Sequence, residues 1–276
     1  MTEPDSSEPD VALSHLAPEE KAIRAGSFGG VAALYERYRP GPSVDAVEWI
    51  LPAQVGTVVD LGAGTGALSR LLLDRAEEVI AVEPDDRMRS ILIEEVPGVR
   101  AVNGRGESMP LPDRSVDAVL ASSSWHWMDP VPALREVGRI LKPSGIMGAL
   151  WSGPDAEGAF VVQAQALLAQ QAQGGPTDVI LEDARRPMST LEIPVGVPFD
   201  QPEHEVFRWD VALNADELIG LLGTFSSIIT MPEAKRQDVF SEARRLLAEL
   251  LGVKGDVTVD VAFRADAWRS RRHDGD

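Results

Sequence analysis

Two stretches concentrate residue types that can do chemistry. The first, "VVDLGAGTGALS" (58–69), sets Asp60 two residues before the alternating glycines Gly62, Gly64 and Gly66. Glycines let a backbone pass close beneath a ligand and turn sharply. At the carboxyl end of a strand in an open α/β sheet they occupy the place where ligands bind. The second stretch, "SSSWHWMDP" (122–130), sets His126 between two tryptophans. An imidazole, with an unperturbed pKa of about 6.5, can take a proton from a hydroxyl or orient a substrate oxygen. Aromatic neighbours such as Trp127, and Trp151 further on, can wall a reaction site and keep water out. A packed histidine with one hydrogen bond is the alternative, and Trp125 reads as core.

The glycine loop admits two cofactors. Gly62, Gly64 and Ala67 satisfy G-x-G-x-x-A, a nicotinamide dinucleotide fingerprint. Asp60 tilts the balance, because an anion at the strand tip sits badly beside a pyrophosphate and well near the cationic amino group of a methionine moiety. Arg39 offers a guanidinium fork for that ligand's carboxylate. Glu83, at the end of the next apolar run, can accept hydrogen bonds from ribose hydroxyls, its bland alternative being a helix N-cap. The cofactor implied is S-adenosyl-L-methionine. An NAD(P)-dependent oxidoreductase is the first competing reading, and a non-catalytic S-adenosylmethionine-binding protein the second, since binding and turnover are different demands.

These residues need a scaffold that brings strand ends together. From Thr57 to Trp151 short β-branched runs alternate with helical stretches, the pattern of parallel strands with crossover helices. The strands expected are 57–61, 79–83, 99–103, 116–121 and 146–151, with helices at Ala67–Arg75, Asp86–Glu95 and Pro132–Leu141, the last ended by "KPSG". This is a doubly wound sheet. Upstream, a helix, a Pro-Gly-Pro break and a second helix begun at Ser43 are expected. Downstream come a helical stretch over 158–175 that stops at two glycines, and a Pro-rich stretch over 176–203. A strand at 204–213 follows, with Val206, Trp209 and Val211 as core candidates. Asn214 with Glu217 has capping-box spacing, as does Thr230 with Glu233 ahead of a longer amphipathic helix. A closing strand is expected at 256–263.

Composition bounds the rest. The 276 residues carry a net charge of −18 and no cysteine, and no apolar run approaches the ~18 residues of a membrane span. The charge argues against a nucleic-acid partner, because phosphate binding needs a basic patch. A small molecule is the expected partner, with no membrane association. Absence of thiols suits a cytoplasmic location. Residues 1–20 are acidic and Pro/Ser-rich and read as a disordered tail rather than a secretory signal. The four histidines, His15, His126, His204 and His273, have no metal-ligand spacing.

The ordered motifs "YERYRP", "VVDLGAGTG", "VIAVEPDDRM", "GESMPLPDRSVDAVLASSSWHW" and "ALREVGRILKPSGIMGALW" cover about residues 28–153. On them the chain resembles a class I S-adenosylmethionine-dependent methyltransferase, of the group similar to ubiquinone/menaquinone-biosynthesis and trans-aconitate methyltransferases. The resemblance implies a seven-stranded, mostly parallel α/β sheet of Rossmann-like methyltransferase type, with an N-terminal helical cover and a C-terminal helical insert. The domain would span 21–276, its cofactor-binding core about 43–153 and its acceptor-side insert and closing strands about 154–266. By that resemblance Asp60, Gly62, Gly64 and Gly66 line the methionine end, Glu83 holds the ribose, Pro84 and Asp85 follow it in the cofactor-binding segment as in the family, and Met88 packs near the adenine. Gly106 and Glu107 border the adenine edge, although many relatives carry an acid where this chain has Arg105. Tyr35 helps cover the amino-acid end. Ser124, His126, Trp127 and Trp151 fall on the acceptor side. The activity implied is methyl transfer to an oxygen or carbon of a small organic molecule.

Overall fold

Seven strands form one sheet in the order β3-β2-β1-β4-β5-β7-β6. The computed structural model describes residues 37–51, 54–164 and 190–273. The acidic tail over 1–20, Tyr35 and the glycine stop of the 158–175 helix lie outside the described residues. The strands are β1 (Val55–Leu61), β2 (Ala76–Val82), β3 (Arg100–Val102), β4 (Val116–Ser122), β5 (Leu141–Pro154), β6 (Glu203–Leu213) and β7 (Val259–Arg271). The helices are α1 (Val44–Ile50), α2 (Ala67–Leu72), α3 (Asp86–Glu95), α4 (Pro130–Ile140), α5 (Ala215–Leu222), α6 (Ser226–Ile229) and α7 (Glu233–Leu250).

Strands β1 to β5 pair in parallel, as the crossover helices α2, α3 and α4 require. β7 runs antiparallel to β5, and β6 antiparallel to β7. Alternation of side chains makes two cores. Val59, Leu61, Val119, Ala121, Met147, Ala149 and Trp151 face α4. Val58, Ala118, Leu120, Ile146 and Leu150 face α1 and α2 on the other side. Coverage on both faces explains why the central strands read as almost continuous apolar runs.

Local chemistry sets most element starts. Ser43 caps α1 by accepting from Ala46 N, and Asp85 caps α3 by accepting from Arg87 N. The Asn214–Glu217 capping box forms in full. The Thr230–Glu233 box does not: Pro232 is the N-cap of α7, which places Glu233 at the first helical position rather than the third. Glu233 instead pairs with Arg236 and Gln237.

Three further expectations are corrected. "KPSG" does not separate helix from strand, because β5 begins at Leu141 and Lys142–Gly145 bulge within it, the register jumping from Val116↔Leu141 to Ala118↔Ile146. Ser144 takes the left-handed φ of 60° that this bulge needs. The closing strand runs to Arg271 through the charged "RADAWRSR", because it has strand partners on both sides and ladder pairing overrides weak local propensity. Val206, Trp209 and Val211 are only half-buried, because β6 is the sheet edge. Among the described residues no helix is long and apolar enough to cross a membrane.

Candidate functional site

Because β1, β2 and β4 are parallel, the segments after Leu61, Val82 and Ser122 leave the sheet on one rim. The glycine loop is clipped to β2: Gly62 N and Ala63 N donate to Val82 O at 2.8 and 3.1 Å, and Gly66 N returns to Ala63 O at 2.9 Å. The three glycines have positive φ and different neighbours. A Cβ on Gly62 would lie 2.6 Å from Ser124 Cβ, and one on Gly66 2.7 Å from Val96 Cγ2. One on Gly64 would meet only Met88 Sδ, at 3.9 Å. Gly62 and Gly66 therefore allow the loop to pack on the β4 turn and on α3. Of the three glycines expected to line a ligand, Gly64 is the one that faces open space.

Asp60, at the tip of β1, is 1% exposed. Ser69, on α2, donates its hydroxyl to Asp60 Oδ2 at 2.6 Å, while Oδ1 is buried without a hydrogen-bond partner. Burial pushes the carboxyl up to about 7 against the pull of the Ser69 bonds, and the neighbouring Glu83 adds to the rise. Glu83 is also buried and accepts from Gly64 N at 2.9 Å and from Asp85 N at 2.8 Å. Desolvation raises its pKa, and those two backbone donors oppose the rise. The helix N-cap role open to Glu83 falls to Asp85 instead. Met88 is buried beside the loop, and Pro84 is exposed.

The turn at Gly106 and Glu107 is closed by Arg105 N to Ser108 O at 3.1 Å and Ser108 N to Arg105 O at 3.0 Å. Glu107 accepts from Asp129 N at 2.8 Å, and a Cβ on Gly106 would strike Met128 Sδ at 2.4 Å. The turn thus braces the residues that follow the histidine.

Trp125–Trp127 forms a single 3-10 turn. Trp125 is buried in the α4-side core, as expected. Ser124 donates its hydroxyl to Leu61 O at 2.6 Å, so this residue, expected on the acceptor side, clasps the turn to the end of β1. His126 Nδ1 accepts from Trp151 Nε1 at 2.9 Å, and the His126 and Trp127 rings lie 4.5 Å apart at 55°. Trp151 is 5% exposed and belongs to the α4-side core, so its link to the turn runs through the histidine.

Upstream, Arg39 Nε donates to Thr224 Oγ1 at 3.4 Å and its guanidinium lies 5.4 Å from the Phe225 ring. Its expected fork to a ligand carboxylate is here directed at the turn between α5 and α6. Tyr38 packs at the same place, because a Cβ on Gly220 would sit 2.4 Å from its ring. Sequence reasoning missed Ser69, Tyr38 and the Trp151–His126 bond. Ser69 carried a signal, being three residues beyond Gly66 and so on the first turn of the helix that the loop opens.

Residues 59–148 match the methyltransferase-domain family. The chain is 36% identical over 222 residues to an uncharacterised methyltransferase of Mycobacterium tuberculosis, covering 80% of this chain and 86% of that protein. It is 32% identical over 131 residues to the malonyl-[acyl-carrier protein] O-methyltransferase of Pectobacterium atrosepticum, covering 46% of this chain and 52% of that protein. A solved structure from Anaeromyxobacter dehalogenans superposes with a TM-score of 0.59 at 22% identity, covering 85% of this chain and 98% of that one, and shows the same fold. These findings set aside the dinucleotide oxidoreductase. The chain belongs to the class I S-adenosylmethionine-dependent methyltransferases.

Proposed function

We propose that the protein moves the methyl group of S-adenosyl-L-methionine to an oxygen or carbon of a small organic molecule. The observation that carries this reading is the clasp from Ser124 Oγ to Leu61 O at 2.6 Å. It holds the Trp-His-Trp turn directly beside Gly62, so a donor cradled at Gly64 and an acceptor at His126 share one rim.

The residues fit the cofactor. A buried carboxylate oxygen without a partner is expensive to leave unpaired, and Asp60 Oδ1 is such an oxygen. A cationic amino group satisfies it. Glu83 retains lone pairs for ribose hydroxyls beside its two backbone bonds. Gly64 lies under the methionine end, and Met88, Gly106 and Glu107 are assigned to the adenine side. Arg39, held by Thr224 and Phe225, is assigned to the cover. When bound, the cofactor supplies an electrophilic methyl on a sulfonium.

The acceptor side is organised for orientation. An indole N–H only donates, so the Trp151 bond leaves the lone pair on His126 Nδ1 and, in the neutral ring, the proton on Nε2. In that tautomer Nε2 is a donor and cannot abstract a proton from an acceptor. This supports an acceptor that arrives already nucleophilic, such as a carboxylate or enolate, for which positioning and exclusion of water suffice. The Pectobacterium relative is likewise named for methylation of an oxygen. The C-terminal insert, about residues 154–266, is assigned to the acceptor side, and the net charge of −18 speaks against nucleic acid as substrate.

The test is incubation with methyl-labelled S-adenosylmethionine and a panel of carboxylic acids, phenols and 1,3-dicarbonyls. Mass spectrometry should find a methyl ester, ether or C-methyl product with stoichiometric S-adenosylhomocysteine. Label appearing only in protein or RNA would sink the reading.

A further inference from the structure

The Asp60 carboxylate has two oxygens in different states. Oδ2 receives the Ser69 hydroxyl at 2.6 Å, and Oδ1 has no partner although the side chain is 1% exposed. Both residues are fully enclosed, with Ser69 at 0% exposure on the first turn of α2. Asp60 sits one residue from the end of β1, and its register partners are Ala81 on β2 and Leu120 on β4. The nearby ionisable group is Glu83, just past the end of β2, whose charge repels that of Asp60 and gives it no partner.

We infer that Ser69 is a positioning residue: its hydroxyl ties down one oxygen of Asp60 so that the other is presented to the ammonium at the amino-acid end of the cofactor. This rests on the cofactor reading above and adds a residue to it. The physical reason is the two-fold freedom of a carboxylate about its last torsion, which is broad in the absence of a partner. A short bond to one oxygen selects a single orientation of the group. It also satisfies Oδ2 internally, so that the desolvation of the bare Oδ1 is offset only when a cationic donor arrives.

The consequence is selectivity between ligands that differ in that end alone. S-Adenosylhomocysteine carries the ammonium, whereas 5′-methylthioadenosine keeps the nucleoside and thioether and lacks the amino acid. In Ser69→Ala, calorimetry of the full chain should show S-adenosylhomocysteine binding weakened roughly tenfold, the scale of one lost hydrogen bond to a charged group. Binding of 5′-methylthioadenosine should stay within about twofold, since that ligand does not use the bond. Asp60→Asn should weaken S-adenosylhomocysteine at least as much. In that background Ser69→Ala should add little, the non-additivity expected of residues acting as a unit. Ser69→Cys, nearly isosteric with a weaker donor, reads the same ratio if the alanine variant does not fold.

Equal losses for both ligands would make Ser69 a packing residue and overturn the inference, as would an unchanged affinity for S-adenosylhomocysteine. Wild-type protein that bound neither ligand would overturn the cofactor reading itself, a result distinct from either.

Discussion

Trp151 donates its indole N–H to Nδ1 of His126 at 2.9 Å, joining the last third of β5 to the turn that follows β4. The two strands are neighbours, with Ser122 paired to Leu150, so the bond spans adjacent strands. A buried tryptophan thereby selects which imidazole nitrogen carries the proton.

Trp151→Phe keeps an aromatic body in the α4-side core and deletes the donor. Stability should fall by about 1–2 kcal/mol, the scale of one lost hydrogen bond plus a small void. Nitrogen NMR of the wild-type ring should show Nδ1 unprotonated and Nε2 protonated, and the variant should lose that uniform pattern. Methyl transfer should drop while affinity for S-adenosylhomocysteine is kept. A wild-type ring protonated on Nδ1 would contradict the assignment.

The glycines separate binding from folding. Gly64→Arg puts a long side chain where a Cβ meets only Met88 Sδ, so the fold should survive the strain of φ 58°, at about 1–2 kcal/mol. Cofactor binding should be abolished. Gly66→Ala, by contrast, drives a methyl to 2.7 Å from Val96 and 3.2 Å from Leu92 and should lower the melting temperature with or without ligand. Differential scanning fluorimetry with and without S-adenosylhomocysteine distinguishes the two. Preserved ligand-induced stabilisation in Gly64→Arg would refute the loop assignment.

Asp60 gives the ligand-free protein a pH signature. Its carboxyl rises on folding from 3.8 to about 7, so between those values the native state holds a proton that the unfolded chain releases. The sign follows from linkage: this contribution is fully present below pH 3.8 and is lost as pH rises through about 7. Asp60→Asn should flatten that descending limb of melting temperature against pH. Binding an ammonium favours ionised Asp60, with Glu83 the nearby anion opposing it. Cofactor affinity should therefore climb through pH 7 and fall again as the ligand's own amino group, near pKa 7.7–8.0, deprotonates at roughly pH 8. Titration in buffers of different ionisation enthalpy measures the proton release, and a pH-independent affinity would count against Asp60 as the ammonium's partner.

The segment before α1 should depend on a glycine far along the chain. Gly220→Ala raises helix propensity by about 1 kcal/mol but pushes a methyl into the Tyr38 ring, at 2.4 Å. The expected result is no gain in stability and faster tryptic cleavage after Arg37. A more stable variant with unchanged cleavage would show that the contact does not hold the segment.

Much of the scaffold was legible in the chain because period and punctuation act locally. Buried parallel strands read as apolar runs, and the glycine loop declared the rim by its place between a strand and a helix. Asn214 and Glu217 declared a helix start through chemistry confined to four residues. Where local signals competed with longer-range pairing they failed. The charged half of β7 is strand because β5 and β6 flank it, and Thr230 lost its cap to Pro232.

The site divides the same way. Asp60, Gly64, Glu83 and His126 could be named from type and position, since strand order puts their backbones on one edge. What each side chain does there depended on partners distant in sequence, which no spacing encodes. Ser124 turned out to clasp Leu61, 63 residues away, and Trp151 to donate to His126, 25 residues away. Arg39 reached across 185 residues to Thr224. Sequence alone determined which atoms could do the chemistry. Only the folded chain decided which of them were already satisfied and which, like Asp60 Oδ1, were left without a partner, because hydrogen-bond satisfaction is a property of close packing between elements.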